Sequence, residues 1–176
     1  MSFKYALCSE VFSTPLDETI ASIAEAGFDG IEVAPFNAGE SVEDVAAGER
    51  ALLRQQAADA GIEIVGLHWL LISPPGLHLT TEDSSVRKQT TSYLQALARF
   101  CSDLGGKVMI FGSPKQRNLA EGDDRRTALE RGVWNLDGAA RALLHGGGDS
   151  LERTEAAVRL APDLPAAHMA WARARW

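Results

Sequence analysis

"IEIVGL", residues 62–67, runs straight into His68 and Trp69 and then into "LLISPPGLHLT", residues 70–80. The first six residues are mostly apolar and β-branched, too short for a helix and bounded by Gly61 before them and a proline- and glycine-rich loop after them. Such a run reads as a strand buried on both faces. A buried strand that ends on a histidine and an indole needs a reason, and the neighbouring segments supply one.

Three other runs have the same character: "KYALCS" at 4–9, "DGIEVAPF" centred on 30–34, and "KVMIFG" at 107–112. Helical patterns separate them. "TPLDETIASIAEAG" begins with Thr14 as the expected N-cap and Pro15 at the first helical position. It buries Leu16, Ile20, Ile23 and Ala24 and stops at Gly27. Ser41 to Ala60 is expected as one helix with Leu52, Leu53 and Ala57 inward and Gly61 at its end. Val86, Thr90, Leu94, Leu97, Cys101 and Leu104 recur at three- and four-residue spacing before Gly105. Buried strands alternating with amphipathic helices predict an α/β fold with a parallel sheet covered by helices.

In such sheets ligands gather at the carboxyl ends of the strands. Those ends carry Ser9 and Glu10, then Glu32 with Asn37, then His68 and Trp69, then Ser113 with Lys115, Gln116 and Arg117. His68 and Trp69 are thus the third strand's contribution to a shared rim. After Arg117 the character changes to helical segments, with breaks expected at Gly132 and Gly138 and an end at Gly146–Gly148. The expected organisation is a parallel β/α unit over 1–118 and a helical extension over 119–176.

Composition narrows the function. The chain has 176 residues and a formal net charge of −7. Residues 1–86 hold 14 acids and 3 bases, and residues 87–176 hold 10 and 14. That balance lacks the basic face of a general nucleic-acid binder, so no nucleic-acid partner is expected. No run reaches the length of a membrane helix, and "MSFKYALCSE" has no secretory pattern; a cytoplasmic protein is the expectation. Cys8 and Cys101 make no metal-type spacing and are expected as buried free thiols.

The stretches "YALCSEVF", "SIAEAGFDGIEVAPF", "ADAGIEIVGLHWLLISPPGLHLT" and "ARFCSDLGGKVMIFGSPKQRN", in that order over about residues 3–118, resemble the sugar isomerase/epimerase superfamily with the xylose-isomerase-like barrel. This superfamily also includes apurinic-endonuclease-like barrels. The resemblance implies an eight-stranded β/α barrel, here represented by four strands. It also implies a divalent metal, Mn²⁺ or a similar dication, that polarises a substrate carbonyl while carboxylates move a proton. In the family the metal is held by acidic residues and a histidine of the second half, beginning with a glutamate in a run like "L.LEP" after a fifth strand. No such run occurs here, so no metal ligand or catalytic residue is assigned. From about Ser150, "AAVRLAPDLPAAH" resembles a tetratricopeptide-type helix pair.

The implied activity is isomerisation or epimerisation of a small sugar, sugar phosphate or hydroxy-keto acid. The alternative is a catalytically inactive truncated barrel acting as a scaffold or interaction module. Open sheet edges would also allow a homo-oligomer. His68 suits a loop hydrogen bond, a substrate contact or, as in the endonuclease-like branch, a metal contact. Trp69 suits core packing or a sugar platform. Lys115 and Arg117, with Gln116, follow a strand-ending glycine and suit a phosphate or carboxylate, as an alternative to a solvated basic turn. Ser113 could assist them. Glu32 suits a sugar hydroxyl or a brace at the mouth. His78, His145 and His168 have no positional argument and are expected to be structural or exposed.

Overall fold

The structure is a computed structural model and describes residues 3–119 and 121–145. The tetratricopeptide-like pieces, the glycine run at 146–148 and His168 lie outside the described residues. Four strands, β1 (Ala6–Cys8), β2 (Gly30–Val33), β3 (Glu63–His68) and β4 (Val108–Ile110), form one parallel sheet in sequence order. The connections are α1 (Leu16–Glu25), the single turn α2 (Pro35–Ala38) followed by α3 (Ala47–Asp59), and α4 (Ser84–Asp103); α5 (Arg125–His145) follows β4. Among the described residues β1 and β4 each pair on one side only, so the sheet is an open partial barrel.

The helices form a layer in which α1 touches α3, α3 touches α4, and α4 touches α5. Ile20 and Ile23 of α1, Leu97 and Phe100 of α4, and Leu104 meet Ile31, Val33, Leu67 and Met109 of the sheet in one closely packed core. Uninterrupted alternation would send Ile64 and Leu67, three residues apart, to opposite faces. Both are buried in this core, and a register shift opposite Ile31 and Glu32 on β2 accounts for it. After the shift, Glu32 pairs with Gly66.

Several local expectations are revised. The segment expected as one helix over 41–60 becomes helical only at Ala47, where the Glu49 carboxylate accepts a hydrogen bond from Ala46 N at 3.2 Å. Leu52 faces solvent, and Leu53 and Ala57 carry the contact. The N-cap of α1 is Pro15; the Thr14 hydroxyl instead lies 3.0 Å from that of Thr19. The last helix is not interrupted. It passes through Gly132 and Gly138, where a side chain would stand 3.5 Å from Thr80 and 3.3 Å from Thr91 respectively. These glycines let α5 approach α4 and the β3–α4 loop. There the buried Asn135 donates to Leu79 O and accepts from the Thr91 hydroxyl.

Candidate functional site

The carboxyl end of the sheet is built from side chains on the face opposite the helix layer. Cys8 ends β1 and stands in register with Glu32 of β2. Glu32 is in register with Gly66, so His68, two residues on, projects from the same face one step beyond. The Cys8 sulfur, a Glu32 carboxylate oxygen and a His68 ring nitrogen lie within 4.8 Å of one another. His68 Nδ1 is 3.2 Å from Glu32 Oε2. Yet this buried nitrogen has no aligned hydrogen bond to the carboxylate or to any other described group.

The imidazole is held from two sides. Trp69 stacks on it, with ring centroids 5.5 Å apart and planes inclined by 16°. Behind it, a Cβ on Gly112 would fall 2.7 Å from His68 Cδ2 and 2.9 Å from Nε2. Glycine is therefore required at 112 by the ring as well as by its backbone angle φ of +50°. The chain adopts a second left-handed residue at Trp69 (φ 63°). For a bulky residue that conformation is strained, and such strain concentrates at functional sites. The Trp69 indole N–H is buried without a partner among the described residues.

Two serines brace this rim. The buried Ser9 hydroxyl accepts from Ala34 N at 2.8 Å and donates to Asn37 Oδ1 at 2.7 Å, tying the end of β1 to the end of β2. Ser113, also buried, accepts from Leu71 N at 3.0 Å and ties the end of β4 to the loop after β3. Ser113 thus acts as an internal strut, and its hydroxyl is committed to the loop.

Lys115, Gln116 and Arg117 occupy a 3₁₀ turn, Pro114–Arg117. Lys115 and Arg117 are exposed, and the backbone carbonyl of Gln116 accepts from Leu79 N at 2.7 Å. Among the described residues no hydrogen bond or ion pair joins these three to Cys8, Glu32 or His68. Glu10 is exposed on the Ser9–Val11 turn. His78 is structural: its Nδ1 accepts from Thr80 N, and its backbone N and carbonyl bond the Thr90 hydroxyl.

The two cysteines differ. Cys101 is buried against Val108 O, and burial pushes its thiol up to about 12. Both thiols are free, as expected, but Cys8 is only half-buried, beside Glu32 and His68, so the expectation of burial fails for it. Burial is also the main cause that raises the Cys8 thiol above its ordinary value; the Glu10 and Glu32 charges reinforce this, and a backbone hydrogen bond at Glu10 opposes it. One signal in the sequence could have found Cys8. It ends the first strand as Glu32 and His68 mark the ends of the second and third.

The donors suit one kind of cation better than another. Mn²⁺ favours oxygen ligands, whereas this group offers sulfur, nitrogen and one carboxylate. These residues do not fit the hard dication that the resemblance implies. No described helix is long and apolar enough to cross a membrane.

Comparison with known proteins agrees with this architecture. The sequence matches the xylose isomerase-like TIM barrel family over residues 20–145, a span that includes α5. No curated protein sequence matches. Among solved structures, a D-psicose 3-epimerase determined with D-fructose is 21% identical at a TM-score of 0.61, covering 79% of this chain and 48% of that one. The D-psicose 3-epimerase of Clostridium cellulolyticum, determined with D-tagatose, is 17% identical at a TM-score of 0.64, with 79% and 48% covered. A sugar phosphate isomerase/epimerase of Parabacteroides distasonis is 13% identical at a TM-score of 0.56, with 88% and 49% covered. This chain spans about half the length of these structures. With a family match over most of its length and a parallel half-barrel sheet, the chain belongs to the xylose isomerase-like TIM barrel family.

Proposed function

We propose that this half barrel is the substrate-holding part of a sugar or sugar-phosphate isomerase/epimerase, an enzyme class that transfers a proton next to a carbonyl. The observation that carries the reading is the Glu32–His68 pair, a carboxylate and an imidazole 3.2 Å apart at the carboxyl rim, each side chain about one-quarter exposed (23% and 24%). A carboxylate accepts hydrogen bonds from neighbouring sugar hydroxyls, and an imidazole donates or accepts beside it. Trp69 adds an apolar ring and an indole N–H with no hydrogen-bond partner among the described residues. Lys115 and Arg117 are free to hold a phosphate or carboxylate at the outer edge, with Gln116 between them.

The role of these residues is to bind and orient. The sulfur, nitrogen and single carboxylate at this rim do not match the hard dication that the resemblance implies. Groups that complete the chemistry belong, by the family's pattern, to the strands that follow a fourth. A cytoplasmic setting suits the two unlinked thiols.

A second reading has its own observation. Among the described residues the single-sided pairing of β1 and β4 leaves two sheet edges that suit a scaffold or a homo-oligomer. One experiment separates the two readings. The protein is incubated in D₂O with D-fructose, D-allulose and a ketose phosphate, binding is measured by calorimetry, and exchange next to the carbonyl is followed by NMR. Saturable binding that His68→Ala weakens supports the substrate site, and deuterium wash-in supports an active enzyme. Absence of both, with a dimer in analytical ultracentrifugation, supports the scaffold.

A further inference from the structure

We propose that Cys8, Glu32 and His68 form a binding site for a thiophilic divalent cation, Zn²⁺, at the carboxyl end of β1–β3. This lies apart from the position implied for the sugar-isomerase branch, beyond a fifth strand, and has a histidine near the third strand's end in common with the endonuclease-like branch. It shares Glu32 and His68 with the substrate reading but does not depend on it, since binding is read with no sugar present.

Four observations lead to the site. The strand register alone puts the three side chains on one face, so the cluster belongs to the sheet and not to a mobile loop. Their donor atoms lie within 4.8 Å of one another. Bonds of about 2.0–2.3 Å in a tetrahedral zinc site put donors roughly 3.3–3.8 Å apart, so small rotamer adjustments close the gap. His68 Nδ1 is buried and faces the Glu32 carboxylate without an aligned hydrogen bond. A cation between them would satisfy both groups. The ring is already oriented, by Trp69 stacked on it and by Gly112 behind it, as supporting contacts orient metal-bound histidines.

The donor set selects the metal. One sulfur, one imidazole nitrogen and one carboxylate oxygen suit zinc, and a site with three protein ligands keeps a fourth position for water or a substrate oxygen. The partial exposure of Glu32 and His68 leaves such a position reachable from solvent. Formation of the Cys8–metal bond displaces the thiol proton to solvent, with no change in oxidation state.

The test uses the full chain after removal of metals by a chelator. Co²⁺ is titrated and followed by absorbance, and Zn²⁺ is then added in competition. One equivalent of Co²⁺ is expected to raise a near-ultraviolet thiolate-to-cobalt band with visible bands of tetrahedral strength, and Zn²⁺ is expected to bleach both. Cys8→Ser should remove the ultraviolet band and weaken Zn²⁺ binding at least about 100-fold, since even outer-shell losses cost about 10–100-fold. Cys101→Ser should leave the band unchanged. Zn²⁺ protection of Cys8 against alkylation, read by peptide mass spectrometry on the wild-type chain, is a second measure that does not depend on how Cys8→Ser folds. No thiolate band in the folded wild type, a band that survives Cys8→Ser, or alkylation of Cys8 unaffected by Zn²⁺ would each overturn the proposal.

Discussion

Gly112→Ala separates two costs that the structure superimposes at one residue. Gly112 has φ of +50°, where an L side chain costs about 1–2 kcal/mol. Its new Cβ would also stand 2.7 and 2.9 Å from two His68 ring atoms and 3.2 Å from Trp69 N. The ring cannot swing away freely, because Trp69 is stacked on it. Overpacking of this kind costs about 1–3 kcal/mol. Reduced freedom of the unfolded chain returns about 0.4–1 kcal/mol, so the expected net loss is about 2–4 kcal/mol. Gly27→Ala is the matched control. Gly27 has φ of +82° after α1, with nothing within 4 Å of the added carbon. It therefore carries the backbone cost alone, about 1 kcal/mol after the same offset. Urea unfolding of both variants with an unchanged m-value measures the difference. Equal losses at the two glycines would show that His68 is not clamped against the backbone, and the account of its orientation would fail.

Four further outcomes follow from the same contacts. At Gly66, where a Cβ would lie 1.8 Å from Val108 O, alanine must force β3 and β4 apart; Gly66→Ala is expected to cost at least about 3 kcal/mol or to prevent folding, as read by circular dichroism melts. Ser113→Ala strands the buried Leu71 N–H and should cost about 1–3 kcal/mol, with faster amide exchange at Leu71 by NMR; unaltered exchange would mean the strut is not needed. Asn135→Leu leaves Leu79 O unpaired, while the Thr91 hydroxyl keeps its bond to Arg87 O, so a loss of about 1–3 kcal/mol is expected in denaturant titrations, and a neutral result would show that α5 docks by apolar contact alone. Hydrogen bonds from the Ser85 hydroxyl, then from Ser85 N and Val86 N, hold the Asp83 carboxyl below its ordinary range. Its contribution is therefore complete above about pH 3.9 and lost as pH falls through the lower folded value. The stability gap between wild type and Asp83→Ala should shrink on acidification from pH 5 to pH 2, and a constant gap would show that the cap does not depend on charge.

How much of this was legible in the sequence varies with the range of the interaction. The four strands and the order of the helices follow from apolar period and glycine stops, which are local signals. Gly27, Gly61 and Gly105 all take the positive φ that ends a helix. The helix start at Ala47 was not legible, because Ser41–Ala46 has acceptable helix composition and is set by contacts elsewhere. Arg50 donates to the carbonyls of Val42 and Val45 and reaches Asp103 at the end of α4. Gly132 and Gly138 read as breaks because propensity counts against them. Their reason is the approach of Thr80 and Thr91, residues distant in sequence.

The rim shows the same division more sharply. Placing Glu32 and His68 at strand ends needs only the alternation of strands and helices. Recognising that they meet needs the register, because a shift of one residue on β2 or β3 would turn one of them into the helix layer. The register shift between Ile31 and Glu32 is what aligns Glu32 with Gly66 and so brings His68 beside it. Cys8 is hard to read for a related reason: in a three-residue strand, its apolar neighbours suggest core packing, and only pairing with β2 reveals which face it takes. Composition thus locates the rim, but strand pairing decides which of its residues act together. On this chain pairing selects a thiol, a carboxylate and an imidazole, and leaves the basic Lys115–Arg117 turn as a separate outer group.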